Sequence, residues 1–96
     1  LKMVHFLYDV YGDPVELYYL RDTLGREVDL LVTYKQKPWF AVEVKLSEDK
    51  ISKDLLYFKE KLQIPYCYQV IKNYDQHVID NGIHIISLEK FLKGLA

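Results

Sequence analysis

The sequence predicts an α/β (α+β) sandwich in which helices flank a mixed sheet, and three observations carry that prediction. Three short, apolar, turn-bounded segments follow one another between residues 15 and 45. The hydrophobic spacing then lengthens from two to three and four near residue 50. Strand-type composition returns after Pro65, before a capped terminal helix.

Taken in order, Leu1 to Tyr11 places Val4, Phe6, Leu7, Val10 and Tyr11 nearer to one helical face than to a strand alternation. A helix is therefore expected there, stopped by Gly12-Asp13-Pro14. It begins at Leu1 without a capping residue, which suggests a piece of a longer polypeptide. Val15 to Arg21 is rich in Tyr, Leu and Val, the composition of a strand, and Asp22-Thr23-Leu24-Gly25 reads as the turn after it. Arg26 to Tyr34 and Pro38 to Lys45 are two further strands, completing an antiparallel three-strand meander. From about Lys50, the residues Ile51, Leu55, Phe58 and Leu62 are spaced four, three and four apart and share one helical side, with Lys53 and Glu60 opposite. Pro65 ends that helix. Tyr66 to Lys72 is an apolar, aromatic strand, Asn73 to Gln76 a polar connection, and a short edge strand is expected around Val78. Ile83 to Ile86 is a strand after Asn81-Gly82, and Ser87 is a good N-cap for a last helix ending near Gly94.

Composition bounds the function. The 96 residues fit one domain, 1–96, half of them hydrophobic and 28% charged, the balance of a folded globular chain. A formal net charge of −1 supplies no global basic field, so any contact with nucleic acid must be local. Lysines concentrated from Lys45 through Lys61 offer such a stripe, or simply a solvated helix face. Cys67 is the only cysteine, which excludes an intrachain disulfide and a multi-cysteine zinc site and fits a reducing cytoplasm. No apolar run approaches the ~20 residues needed to cross a bilayer, and no secretory signal opens the chain, so no membrane role is expected.

The segments that carry chemistry are Arg26-Glu27-Val28-Asp29-Leu30-Leu31-Val32 and Phe40-Ala41-Val42-Glu43-Val44-Lys45. In a strand, residues two apart share a face, so Glu43 and Lys45 point one way and Val42 and Val44 the other. A hairpin with a three-residue loop at Lys35-Gln36-Lys37 pairs Tyr34 with Pro38 and Val32 with Phe40, and sets Asp29 opposite Glu43. Two carboxylates that close repel unless a cation shares them. Mg²⁺ or Mn²⁺ is the natural guest, because Mg²⁺ prefers oxygen ligands and keeps waters and phosphate oxygens beside one or two carboxylates. Such an ion activates water and polarises a phosphodiester, with Lys45 placed to orient the attacking water or to stabilise developing negative charge. Residue types alone are explained more simply by a plain surface ion pair between Lys45 and one of the carboxylates.

Glu16-Leu17-Tyr18-Tyr19-Leu20-Arg21, the turn at Gly25, Arg26-Glu27-Val28-Asp29, and Ala41-Val42-Glu43-Val44-Lys45 together resemble the DUF4143 domain. Ile85-Ile86-Ser87-Leu88-Glu89-Lys90-Phe91-Leu92 is similar to that family's closing strand and helix. The resemblance spans nearly the whole chain. It implies a restriction-endonuclease-like, PD-(D/E)xK-type core at the C-terminus of a bacterial or archaeal AAA+ ATPase. Asp29 and Glu43 would be the metal-binding carboxylates, Lys45 the catalytic lysine, and DNA the polymer acted on. The sequence departs from the superfamily pattern twice. Leu1 to Tyr11 has no clear match to the acidic residue often supplied by the first core helix, Asp9 being a poor candidate, and no glutamine stands at an obvious position on the helix after the lysine. No G-x-x-x-x-G-K loop followed by Ser or Thr exists, so this chain has no Walker ATP site of its own. A non-catalytic module that keeps the fold to bind nucleic acid or protein is the alternative.

Arg21, Arg26, Lys50 and Lys53 are candidates for phosphate contact, with solvated surface as the simpler expectation. Glu27 is expected at the rim. His5, His77 and His84 lack the i, i+4 spacing of a helical zinc pair and read as structural or surface residues. Nine tyrosines, with Tyr18, Tyr19, Tyr66 and Tyr68 among them, can stack on bases but are explained more simply by packing, as is Trp39. A fragment cut from a larger protein is expected to self-associate through the apolar surface it exposes.

Overall fold

A computed structural model describes the backbone of residues 7–10 and 13–95 and the side chains of 15–94. The strands are β1 (Leu7–Val10), β2 (Asp13–Arg21), β3 (Glu27–Tyr34), β4 (Lys37–Lys45), β5 (Tyr66–Ile71), β6 (His77–Asp80) and β7 (Ile83–Ser87). The helices are α1 (Lys53–Leu62) and α2 (Leu88–Leu95). All seven strands form one sheet, ordered β1-β2-β3-β4-β5-β7-β6. Its first four strands are antiparallel neighbours, β4-β5 and β5-β7 are parallel, and β6 runs antiparallel to β7 at the edge. A parallel neighbour demands a long crossover, and α1 makes the one between β4 and β5. The expected mixed α+β sheet with flanking helices is thus present.

Two corrections apply to the first third of the chain. The helix expected over Leu1 to Tyr11 is not there in the described part: residues 7–10 are β1, paired with β2 in the register Leu7↔Glu16 to Val10↔Asp13. Residues 1–6 lie outside the described residues. A short apolar run does not distinguish a helix from a strand by spacing alone, and the edge of β2 decides the matter. The meander consequently has four strands rather than three. Pro14 fits because it sits at the start of β2, where a missing N–H is tolerated.

The β3-β4 hairpin also turns differently from expectation. Lys35 and Gln36 form a two-residue turn with φ of 52° and 66°, and Tyr34 pairs with Lys37 rather than Pro38. Positive φ at both central residues is the geometry whose twist matches the flanking strands. A bulge then takes up one extra residue on β4, since Thr33 pairs with Pro38 but Val32 with Phe40. From Val32↔Phe40 onward the expected register holds, through Leu31↔Ala41 and Leu30↔Val42.

The helices are held by conventional caps. Ser52 accepts the Leu55 N–H at the start of α1 through its hydroxyl, and Gln63 closes the helix in the left-handed conformation with φ 53°. Ser87, buried at the end of β7, accepts the Lys90 N–H at the start of α2. Helix α1 covers one sheet face, where Leu55 and Phe58 pack with Leu20, Val28, Leu31, Ala41, Cys67 and Ile83. Helix α2 covers the other, where Leu88 and Phe91 pack with Val42, Val70 and Ile86. Among the described residues no helix is long and apolar enough to cross a membrane.

Candidate functional site

The alternation of β4 divides its residues between the two faces. Phe40 and Val42 join the α2 side, whereas Ala41, and with it Glu43 and Lys45, lie on the α1 side. Strand β5 does the same, Cys67, Gln69 and Ile71 pointing toward α1, and the parallel register sets Glu43 beside Gln69 and Lys45 beside Ile71. The Cys67 thiol is buried among apolar side chains and pushed up to about 11, so it remains protonated and is a packing residue rather than a nucleophile.

Asp29 reaches the same face through an irregularity in β3. Tyr18 pairs with Leu31 but Leu20 with Val28, so β3 advances three residues while β2 advances two, which places a bulge at Asp29–Leu30. As a result Val28 and Leu31 both enter the α1-side core, and Asp29 stands exposed between them. The β3-β4 ladder ends at Leu30↔Val42, and beyond it the Asp29 carboxylate, rather than a backbone carbonyl, accepts the Val44 N–H at 2.8 Å.

These features bring the two expected carboxylates together. Glu43 is only 8% exposed, and its carboxyl lies close enough to Asp29 to be shifted by it. Burial pushes the Glu43 carboxyl up to about 8, with the Asp29 side-chain hydrogen bond and charge adding to the rise; the Lys45 ammonium and the Asp29 amide oppose it. At neutral pH the Glu43 carboxyl therefore tends to hold its proton. Two neighbouring carboxyl groups are oxygen donors of the kind that suits Mg²⁺ or Mn²⁺, which need only one or two protein carboxylates. Among the described residues no cluster of three or more His, Cys, Asp or Glu side chains surrounds a potential ion. The side chain of Asp9 lies outside them.

Lys45, half-buried, lines a cleft of about 300 Å³ between the end of β4 and the start of α1, together with Glu48, Lys50, Ser52, Lys53 and Asp54. The structure thus places the candidate phosphate contacts Lys50 and Lys53 beside Lys45. It does not bring the two arginines there. Arg21 pairs with Glu27 at 3.3 Å, and Arg26 binds Asp22 at 2.6 Å while stacking 3.6 Å over the Tyr57 ring, on a separate cleft.

A further residue of this region, Gln69, holds the cleft wall in place. Gln69 is fully buried, and its carboxamide oxygen accepts the Ser52 N–H at 2.7 Å. Its amide group donates to the carbonyls of Lys50, at 2.8 Å, and Glu48, at 3.3 Å. It clamps the wall of the cleft from below, and the start of α1 is tied to β3 by Asp54, which accepts the Glu27 N–H at 3.1 Å. The signal for Gln69 is in the sequence: an amide at a core-facing position between Cys67 and Ile71 has to find hydrogen-bond partners.

Against known proteins, no curated protein and no solved structure matches this chain. The model of a family described as a domain of unknown function, DUF4143, matches residues 3–91, nearly the whole sequence, and the chain belongs to that family.

Proposed function

We propose that this chain is a restriction-endonuclease-like domain that hydrolyses phosphodiester bonds in DNA with the help of one divalent metal ion. In the full-length protein it would follow a AAA+ ATPase domain. The observation that carries the reading is the buried Glu43 carboxyl, raised to about 8 and close to Asp29, with Lys45 two residues along the same strand face. The mixed sheet, whose Glu43-bearing strand leads directly into a crossover helix, supports it as well.

In this reading Asp29 and Glu43 would hold Mg²⁺ or Mn²⁺, Glu43 as the carboxylate once its proton has left to solvent. The bound ion supplies positive charge against the phosphate and lowers the pKa of water. Lys45 orients the attacking water or faces the charge that develops on the phosphate, and Lys50 and Lys53 hold the neighbouring backbone in the cleft. A second reading, a module that binds nucleic acid without cutting it, is favoured by that same cleft, because three lysines engage phosphates without a metal.

Plasmid nicking in Mg²⁺ or Mn²⁺ separates the two. Cleavage is expected in the unmodified chain and is expected to fall by at least about a hundredfold in Asp29→Ala and Lys45→Ala, the scale of losing a group that stabilises transition-state charge. Cleavage unchanged in both variants removes these residues from the mechanism. Salt-dependent DNA binding without cleavage in any metal supports the second reading.

A further inference from the structure

We propose that the β6-β7 hairpin holds a second, chemically distinct metal site, in which His77 and His84 bind a divalent late transition metal such as Zn²⁺, Ni²⁺ or Cu²⁺. The two histidines are seven residues apart in sequence, but the tight turn at Asn81-Gly82 folds them together. His77 lies opposite Ile86 and His84 opposite Ile79, so the pair is diagonal on one face of the two strands. Nε2 of His77 is 2.9 Å from Nδ1 of His84, and the ring centres are 5.1 Å apart.

That spacing suits shared ligation. Two imidazoles bound to one tetrahedral ion through bonds of about 2.0–2.1 Å have ring centres about 5 Å apart, so modest ring rotation turns both nitrogens onto a common point. Without a metal, one ring must donate its N–H to the other, and an ion takes the place of that proton. His84 is held in position by Tyr68, whose ring centre is 5.1 Å away and which in turn rests on Phe91.

Because β6 is an exposed edge strand, water or an incoming ligand completes the coordination. Imidazole nitrogen selects late transition metals, with Cu²⁺ the tightest, whereas Mg²⁺ prefers the oxygens of Asp29 and Glu43. The two sites are therefore separable by the choice of ion.

The test is a Zn²⁺ titration of the chain in excess Mg²⁺, followed through the ¹⁵N resonances of the histidine rings. His77 Nε2 and His84 Nδ1 are expected to shift together and to saturate at one equivalent. His77→Ala and His77→Gln, at an exposed position, are expected to weaken binding by about tenfold or more with the fold intact by circular dichroism. Ring resonances that stay in place at millimolar Zn²⁺, or a titration of the His77 variants indistinguishable from that of the unmodified chain, overturn the proposal.

Discussion

The two faces of the sheet are built from the same strands but to different ends. On the α2 side, β4 and β5 contribute Phe40, Val42, Tyr68 and Val70 to an apolar cluster closed by Leu88 and Phe91. On the α1 side the same strands contribute Ala41 and Cys67 to a larger core, then Glu43, Lys45 and Gln69. One face is held together mainly by apolar burial. The other adds a buried carboxyl at Glu43 and a buried amide at Gln69, so part of its stability depends on pH and on hydrogen bonds that admit no apolar substitute. Chemistry is concentrated where the packing is interrupted.

The largest effect that can test this contrast is in the α1 core. Leu55, completely buried, is expected to cost about 2–5 kcal/mol when truncated in Leu55→Ala, seen as a lower urea midpoint. A loss well below that range would mean that α1 contributes little and that the faces differ less than their contacts suggest.

The second effect is pH dependence. The folded-state pKa of Glu43 lies above its ordinary value of 4.5, at about 8, so between those values the folded chain binds a proton that the unfolded chain has released. Metal-free stability therefore falls as pH rises through this window, by about 1.4 kcal/mol per pH unit at most. Glu43→Gln is expected to flatten that slope. Val70→Ala, on the α2 side, is expected to lower stability by the same amount at every pH. Denaturant curves at pH 6 and pH 8 check both, and a slope retained in Glu43→Gln assigns the titration to another group.

The third and smallest effect concerns the clamp. Gln69→Ala leaves the Ser52 N–H and the Lys50 carbonyl without their partner and is expected to cost about 1–3 kcal/mol. Hydrogen exchange at Ser52 is expected to accelerate more than at Ile86, which lies on the other face.

Much of this was legible in the sequence. Period and composition marked β2 to β5, β7 and both helices, because each is long or flanked by a strong breaker or cap such as Pro65 or Ser87. Asn81-Gly82 announced its turn. Lys35-Gln36 adopts positive φ at both central positions as well, but has neither the Asn nor the Gly that would reveal it. The facing of Glu43 and Lys45 followed from alternation. The bulge at Asp29–Leu30 did not, since no glycine or proline marks it and it arises from fitting β3 between two neighbours at once. The β1 segment reads as a helix in the sequence because a few apolar residues fit either period. The approach of His77 to His84 depended on hairpin register, which helical spacing rules do not address.

The order of strands in the sheet also implies an order of assembly. Asp29 and Glu43 sit on consecutive strands joined by a two-residue turn, so their encounter closes a short loop, whereas Gln69 arrives only after the chain has travelled through α1. Local hairpins form faster than distant parallel pairings. During folding the carboxylates therefore meet while still open to water, and the rise in proton affinity develops later, when α1 and β5 close over them. Refolding across the neutral range should consequently take up a proton in its slow phase rather than in its first.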